Sequence, residues 1–183
     1  MIPFIRQKFN ATFTEEKYKK YISYFEQDFP KSIDFRIAET PIFIDTLFKK
    51  KLIETGEYIT RFILQEDFQQ LTKGALENQA IAANETSYPD CIVIDYAIAM
   101  NEQGEMTPAL IELQGFPSLF AFEAIQNKAI RQAYDIPTGY NCYLNGLEEA
   151  SYLDLLKKMI TGQDQKHTVL LEIFPYQQKT RID

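Results

Sequence analysis

The feature that most constrains this chain is the segment 89–134, because it predicts two neighbouring strands followed by a helix. Residues 91–99 are an almost unbroken apolar run with a single carboxylate, Asp95, in its middle. Residues 108–114 form a second short run of strand type, and residues 101–104 between the two have the composition of a tight turn. The segment therefore predicts a β-hairpin that leads into a helix.

The length of the hairpin loop decides which side chains face one another. A two-residue loop, Gln103–Gly104, would place Asp95 directly opposite Glu112. A four-residue loop, Asn101–Gly104, would place Asp95 opposite Leu110, with Glu112 diagonal to it on the same face. Because side chains alternate along a strand, an odd-numbered loop would send the two carboxylates to opposite faces. Both even loops predict that the carboxylates share a face.

Asp95, Glu112 and Gln114 are therefore expected to project together from the hairpin. Facing carboxylates repel each other across a strand pair, and in a half-buried site they need a cation, a basic partner or a retained proton. Neither predicted strand contains Lys or Arg. A divalent cation is the simplest solution, so these three residues are the predicted metal ligands.

Gly115 and Ser118 frame the turn from the second strand into a helix predicted over 118–134. The free N–H groups and the dipole at a helix N-terminus bind anions, so these two residues are candidates for contact with a phosphate. Oxygen ligands just ahead of such a helix end suit a magnesium–nucleotide complex. The alternative is structural, with Ser118 capping the helix and the strand carboxylates facing solvent.

The amino-acid composition argues against several kinds of partner and several kinds of site. The net charge of −7 argues against nucleic acid and against anionic membranes as partners. No segment approaches the roughly 20 apolar residues of a membrane span. Two cysteines, Cys91 and Cys142, and a single histidine, His167, exclude a disulfide framework and most histidine-based metal sites. A cytoplasmic protein that acts on a small-molecule substrate is expected.

The rest of the pattern predicts an α/β protein with a mainly helical part, 1–88, and an α/β part, 89–183, whose mixed sheet has flanking helices. The helices expected outside the central segment are 14–28 with Thr14 as N-cap, one from Thr40-Pro41 to Gly56, 57–65, 67–78, and 147–160 ended by Gly162. A buried strand is expected over 168–174, followed by the start of another helix. Since such a βα unit is incomplete, the chain is expected to be the N-terminal portion of a longer protein.

The stretch LIELQGFPSLFAFEAIQ resembles a segment of the glutathionylspermidine synthases, which are ligases of the ATP-grasp class. The upstream strand with Asp95 is similar to their strand that carries a metal-binding aspartate. The resemblance lies in motifs between residues 90 and 130. It implies that Asp95, Glu112 and Gln114 bind Mg²⁺ together with ATP. It also implies an enzyme that activates a carboxylate as an acyl phosphate, which an amine then attacks.

The departures from the family concern substrate residues more than metal ligands. Gln114 stands where the family has asparagine and keeps an amide oxygen on a longer side chain. Val93 replaces an arginine that handles substrate, and Phe116-Pro117 replaces a polar pair. The resemblance therefore supports metal and nucleotide binding rather than specificity for glutathione or spermidine. The lysines that bind the nucleotide in the family are expected beyond Asp183, so the chain alone is not expected to be active.

Two other functions fit the same residues. Pro89-Asp90 followed by Glu112-Leu113-Gln114 resembles the PD-(D/E)-x-K signature of metal-dependent nucleases, with Gln114 in place of the lysine. The acidic balance and the missing lysine argue against that function. The third alternative is a non-catalytic interaction domain, in which Asp95 and Glu112 bond only to protein groups.

Overall fold

The chain is a mixed α/β protein in which helices precede a two-stranded antiparallel sheet, and the predicted fold class is confirmed. The computed structural model describes residues 2–76, 86–115, 119–162, 167–177 and 182. In chain order the elements are α1 (Pro3–Thr12), α2 (Glu15–Asp28), α3 (Thr46–Ile63), α4 (Phe68–Thr72), β1 (Val93–Met100), β2 (Met106–Gln114), α5 (Phe120–Ala133) and α6 (Glu149–Thr161). Short 3₁₀ turns cover Lys73–Leu76 and Pro175–Gln177.

The chain divides into two compact units. Met1–Phe43 together with Ser118–Asp183 forms one, which we call the helical unit. Ile44–Pro117 forms the other, which we call the hairpin unit because it contains β1 and β2. The boundary expected between residues 88 and 89 falls inside the hairpin unit.

An aromatic core holds the helical unit together. Helix α2 begins as predicted, because the Thr14 side chain accepts a hydrogen bond from the Lys17 backbone N–H at 3.2 Å. Tyr21 and Phe25, one helical turn apart, are fully buried, and the Phe25 ring lies 5.5 Å from the Phe122 ring of α5. The buried residues of this core are Phe9, Tyr21, Phe25, Ile37, Phe43, Phe122, Ala129, Tyr134 and Ile182.

In the hairpin unit, helix α3 packs against the strands. Asp45 caps it, accepting a hydrogen bond from the Phe48 N–H at 2.7 Å. Further along the helix, a Cβ added to Gly56 would lie 3.6 Å from both Ile94 Cδ1 and Tyr96 Oη of β1. A Cβ at this position would thus make ordinary contact with the sheet, and α3 continues through Gly56 to Ile63 instead of ending there as predicted.

The start of α3 was also predicted wrongly. The Thr40-Pro41 pair does not open a helix, and α3 begins at Thr46. The segment before it is irregular because its carbonyls bond elsewhere: Phe43 O accepts the Ile2 N–H at 2.8 Å, and Pro41 O accepts Arg6 Nη1 at 3.4 Å. A side-chain cap at Asp45 then supplies a better helix start than the threonine.

The predicted strand over 168–174 is wrong as well, since this segment has no regular secondary structure and is exposed. Of the helix predicted over 67–78, α4 and the following 3₁₀ turn cover 68–76, and the last two positions lie outside the described residues. The helix predicted over 147–160 is confirmed as α6, ended by Gly162 at φ 58°. Helix α1 was not predicted, since it has no side-chain N-cap.

Candidate metal site on the hairpin

The turn between β1 and β2 has an odd number of residues, which neither predicted loop had. Asn101 N donates to Glu105 O at 2.9 Å, and Gly104 N donates back to Asn101 O at 3.0 Å. Gly104 has φ 76°, in the left-handed region that glycine adopts without strain. This is a three-residue loop, a common hairpin connection in which a tight turn is followed by a left-handed residue.

A β-bulge offsets the odd loop. Tyr96 pairs with Leu110, but the next residue back along β1, Asp95, pairs with Glu112, so Ile111 is an extra residue on β2. The odd loop alone would have placed Asp95 and Glu112 on opposite faces, and the extra residue returns them to the same face. The prediction that Asp95 and Glu112 share a face is therefore confirmed, and of the two predicted placements the structure has the direct opposition, which arises from the loop and the bulge together.

The pairing gives the hairpin two unlike faces, because directly opposite residues project to the same side. One face carries the acidic pair and otherwise small or polar side chains: Val93, Asp95, Ala97, Ala99, Thr107, Ala109, Glu112 and Gln114. The other carries large apolar side chains: Ile94, Tyr96, Ile98, Met100, Met106, Pro108, Leu110 and Leu113. Since Gly56 of α3 approaches Ile94 and Tyr96, the helix covers part of the apolar face. The acidic face lies on the side away from these contacts.

Gln114 is bonded to the acidic pair. Its Nε2 donates to Glu112 Oε1 at 2.7 Å. Its own Oε1 is buried and has no hydrogen-bond partner among the described residues. The amide thus offers a proton donor to Glu112 and leaves an unused oxygen beside it. All three predicted metal ligands lie at one end of the hairpin, and an amide rotation of about 180° would exchange the two amide atoms.

The expectation that the two carboxylates lie in a half-buried site is wrong. Asp95 and Glu112 are both exposed, and Gln114 is half-buried. Water and salt screen the repulsion between exposed carboxylates, so the pair does not require a cation in the way that a buried pair would. Within the described ranges, neither carboxylate forms a salt bridge; the nearest such contact on the hairpin joins Lys51 Nζ to Glu105 Oε2, 3.6 Å apart, next to the turn. The same described ranges contain no cluster of three or more His, Cys, Asp or Glu residues suited to a metal ion.

Of the two residues predicted to contact a phosphate, the structure describes Gly115 but not Ser118. Gly115 follows β2 in an exposed bend, and a Cβ there would lie 3.6 Å from Pro89 Cγ, an ordinary contact, so the position does not require glycine. Ser118 lies outside the described residues, together with positions 116 and 117. The helix expected to open at Pro117-Ser118 is described from Phe120, after Leu119 as an N-cap without a side-chain hydrogen bond.

Lys51 is the residue near the hairpin that sequence reasoning missed. It belongs to a run of three lysines, and no spacing rule distinguishes it from the other two. In the structure its Nζ donates to Met106 O at 3.1 Å and lies near Glu105, so it fastens α3 to the first residue of β2. Its contact holds the turn end of the hairpin, whereas the acidic pair occupies the other end.

Comparison of the chain with protein-family models, with curated proteins and with solved structures finds no match. Among the described residues, no helix has both the length and the apolar composition needed to cross a bilayer. The hairpin geometry and the chemistry of its side chains therefore carry the functional argument.

Proposed function

We propose that Asp95 and Glu112 bind Mg²⁺ and form the metal part of an ATP-grasp-like ligase that joins a carboxylate to an amine. The observation that carries this proposal is the direct opposition of the two carboxylates on one exposed face of the hairpin. ATP and the ligase reaction come from the resemblance of the β2 segment to the glutathionylspermidine synthases.

The side chains present fit the cation. Mg²⁺ prefers hard oxygen ligands and keeps several of its waters, which suits two exposed carboxylates better than a closed protein cage. Gln114 contributes a third oxygen once its amide turns, because Oε1 has no hydrogen bond to lose among the described residues. An exposed site with two charges binds weakly, with a dissociation constant on the order of 1 mM for the cation alone.

When bound, Mg²⁺ would neutralise phosphate charge while the terminal phosphoryl group of ATP passes to a substrate carboxylate. The chain's own contribution is to hold two carboxylates at a fixed separation. The strand ladder and the bulge fix their backbone positions, and before the cation binds Gln114 restrains the Glu112 side chain through its hydrogen bond. Substrate selection lies with other residues, since Val93 offers no charge for it.

The ladder register favours this function over a nuclease. The nuclease signature requires Asp90 and Glu112 to share an ion, but Asp90 lies before β1 in an exposed bend, and Asp95 occupies the position opposite Glu112. The net charge of −7 also opposes a polyanionic substrate.

Magnesium-dependent ATP binding tests the proposal. Equilibrium dialysis with labelled ATP compares the wild-type chain, Glu112→Gln, and Glu102→Gln as a matched control, because Glu102 is an exposed glutamate in the turn of the same hairpin. We expect ATP binding that requires Mg²⁺, is reduced at least about tenfold by Glu112→Gln, and is unchanged by Glu102→Gln.

Equal ATP binding by both variants, or binding that persists in EDTA, would contradict the metal role of Glu112. Cation binding without any ATP binding would contradict nucleotide binding by this chain while leaving the cation site intact. DNA cleavage in the presence of Mn²⁺, lost in Glu112→Gln, would replace the ligase by the nuclease.

A further inference from the structure

The loop between α5 and α6 contains a tight turn with left-handed backbone at both of its central residues. Leu147 N donates to Leu144 O at 3.0 Å, and between these two residues Asn145 and Gly146 have φ 55° and 75°. Positive φ at both central positions is typical of a type I′ turn, for which Asn-Gly is a preferred sequence. This is the one Asn-Gly pair in the sequence.

The two amide groups of this pair are unbonded. Neither the Asn145 side chain nor the Gly146 N–H has a hydrogen bond to any described residue, and both residues are exposed. A Cβ added to Gly146 would meet no described atom within 4 Å, so its backbone nitrogen is open to approach. An unbonded side-chain amide next to an unhindered backbone nitrogen is the arrangement in which an asparagine can cyclise.

Asn141 lies in the same loop under the opposite constraints. Its Oδ1 accepts the Tyr143 N–H at 2.9 Å, and its Nδ2 donates to Leu147 O at 3.4 Å. The next residue is Cys142, whose Cβ hinders approach to the backbone nitrogen that would have to react. Asn141 therefore serves as an internal control for Asn145.

We propose that Asn145 is a self-modification site that converts to aspartate and isoaspartate. The Gly146 nitrogen attacks Cγ of Asn145, so that a C–N bond forms and closes a succinimide ring. The Cγ–Nδ2 bond breaks, and the side-chain amide leaves as ammonia with the proton that the Gly146 nitrogen gives up. Water then opens the ring: attack at Cγ gives aspartate, and attack at the main-chain carbonyl carbon gives isoaspartate. The reaction consumes only water.

The turn has to open before the ring can close. Cyclisation requires a rotation about the Asn145 Cα–C bond that the left-handed conformation does not have. One exposed backbone hydrogen bond, from Leu147 to Leu144, closes the turn. Such a bond contributes little net free energy, so local opening is accessible in the folded chain. The turn residues are not part of the buried aromatic core, which stays intact when the turn opens.

The modification changes the chain just before α6. Aspartate keeps the main chain as it is and adds a negative charge. Isoaspartate lengthens the main chain by one carbon inside the turn, which displaces Leu147, the residue whose carbonyl Asn141 holds. Because α6 begins at Glu149, the isoaspartate form should loosen the start of that helix. The change is one-way and does not depend on the proposed ligase function.

Peptide mass spectrometry after incubation of the folded chain in mildly alkaline buffer tests the proposal. We expect conversion of Asn145 to both products at a rate at least about tenfold higher than conversion of Asn141. Asn145→Gln is the matched variant, because its longer side chain would have to close a larger and less favourable ring. Position 145 should stay unmodified in that variant, and Asn141 should behave as in the wild-type chain.

A parallel incubation in urea measures the same reaction in the unfolded chain. Since one exposed hydrogen bond closes the turn, the folded chain should react no more than about tenfold more slowly at Asn145. Equal rates at Asn141 and Asn145 would overturn the proposal, as would aspartate as the sole product, which indicates direct hydrolysis without the ring. A folded chain that reacts far more slowly than this limit would also overturn it, because the turn would then protect Asn145.

Discussion

The helical unit and the hairpin unit bury apolar surface to very different degrees. The helical unit contains an aromatic core in which Tyr21 and Phe25 are completely covered, with their rings 5.3 Å apart. Among the described residues of the hairpin unit, Phe48 is the one hydrophobic side chain that is buried. The hairpin unit instead exposes large apolar side chains of both strands, such as Met100, Leu110 and Ile111.

This contrast shows where each unit obtains its stability. Burial of aromatic side chains contributes most of the folding free energy in the helical unit. In the hairpin unit, backbone hydrogen bonds and the contact with α3 must contribute a larger share of the folding free energy. These interactions alone support only marginal stability. We therefore expect the hairpin unit to open at a lower free energy, and to gain proportionally more stability from a bound cation.

The largest expected effect is on the aromatic core. Phe25→Ala removes a fully buried ring that contacts Tyr21 and Phe122, and should lower the unfolding free energy of the helical unit by about 3–5 kcal/mol. Urea titration with amide hydrogen exchange measures this unit separately. Phe4→Ala, at a ring that is 71% exposed, is the control and should change it by less than about 0.5 kcal/mol. Similar losses in the two variants would show that burial does not distinguish these positions.

The second expected effect is a loss of stability at high pH. Burial raises the pKa of Tyr21 to about 12, an effect that the nearby Gln126 side chain partly offsets. Between pH 10 and 12 the unfolded chain releases this proton and the folded chain keeps it, so stability is full below pH 10 and falls as pH rises. The loss should reach about 2 kcal/mol.

Tyr21→Phe should reduce this pH dependence, as measured by urea unfolding at several pH values. A part of the loss should remain, because burial also raises the pKa of Tyr134. An identical pH profile for the wild-type chain and Tyr21→Phe would contradict the burial of the Tyr21 hydroxyl.

The third prediction compares alanine substitutions at two glycines of the hairpin unit. Gly104→Ala places a Cβ at φ 76° and should destabilise the hairpin by about 1 kcal/mol. Gly56→Ala should stabilise by up to about 1 kcal/mol, because alanine favours the helix and its Cβ meets Ile94 and Tyr96 at 3.6 Å, an ordinary contact distance. Thermal unfolding followed by circular dichroism measures both. A loss of stability in Gly56→Ala would mean that α3 lies closer to β1 than these 3.6 Å distances indicate.

The smallest expected effect concerns the acidic pair itself. In EDTA, Asp95→Asn removes a like-charge contact across the strands and should stabilise the hairpin unit by about 0.5 kcal/mol. With Mg²⁺ at about ten times its dissociation constant, the wild-type chain should gain more than the variant, so the difference should vanish or reverse. A variant that is less stable in EDTA would show that Asp95 makes a favourable contact within the protein.

Much of this structure follows from local sequence signals. Thr14 and Gly162 mark helix ends because their chemistry acts within one turn, and two strand-type runs separated by turn residues predict the hairpin of β1 and β2. The extent of α3 does not follow in this way. The break expected at Gly56 is absent because that glycine packs against β1, which lies far along the chain, and no local rule contains that contact.

The placement of Asp95 and Glu112 on one face of the hairpin was predicted correctly, but the reason given for it was wrong. Composition indicates a turn over 101–104, but it does not distinguish a three-residue loop from an even one, and nothing in the sequence marks Ile111 as a bulge. Two deviations from the expected ladder therefore cancel each other. The strand expected over 168–174 has the right composition but no neighbouring strand in the described chain, and a strand requires one to satisfy its backbone.

Paramagnetic broadening by Mn²⁺ tests the central claim most directly, because Mn²⁺ takes the same oxygen ligands as Mg²⁺ and broadens only nearby nuclei. In ¹⁵N-labelled wild-type chain, substoichiometric Mn²⁺ should broaden the amide signals of Asp95, Glu112 and Gln114 first. The effect should disappear in Glu112→Gln and persist in Glu102→Gln. Uniform broadening at acidic residues throughout the chain, or unchanged broadening in Glu112→Gln, would contradict a cation site formed by the two opposed carboxylates.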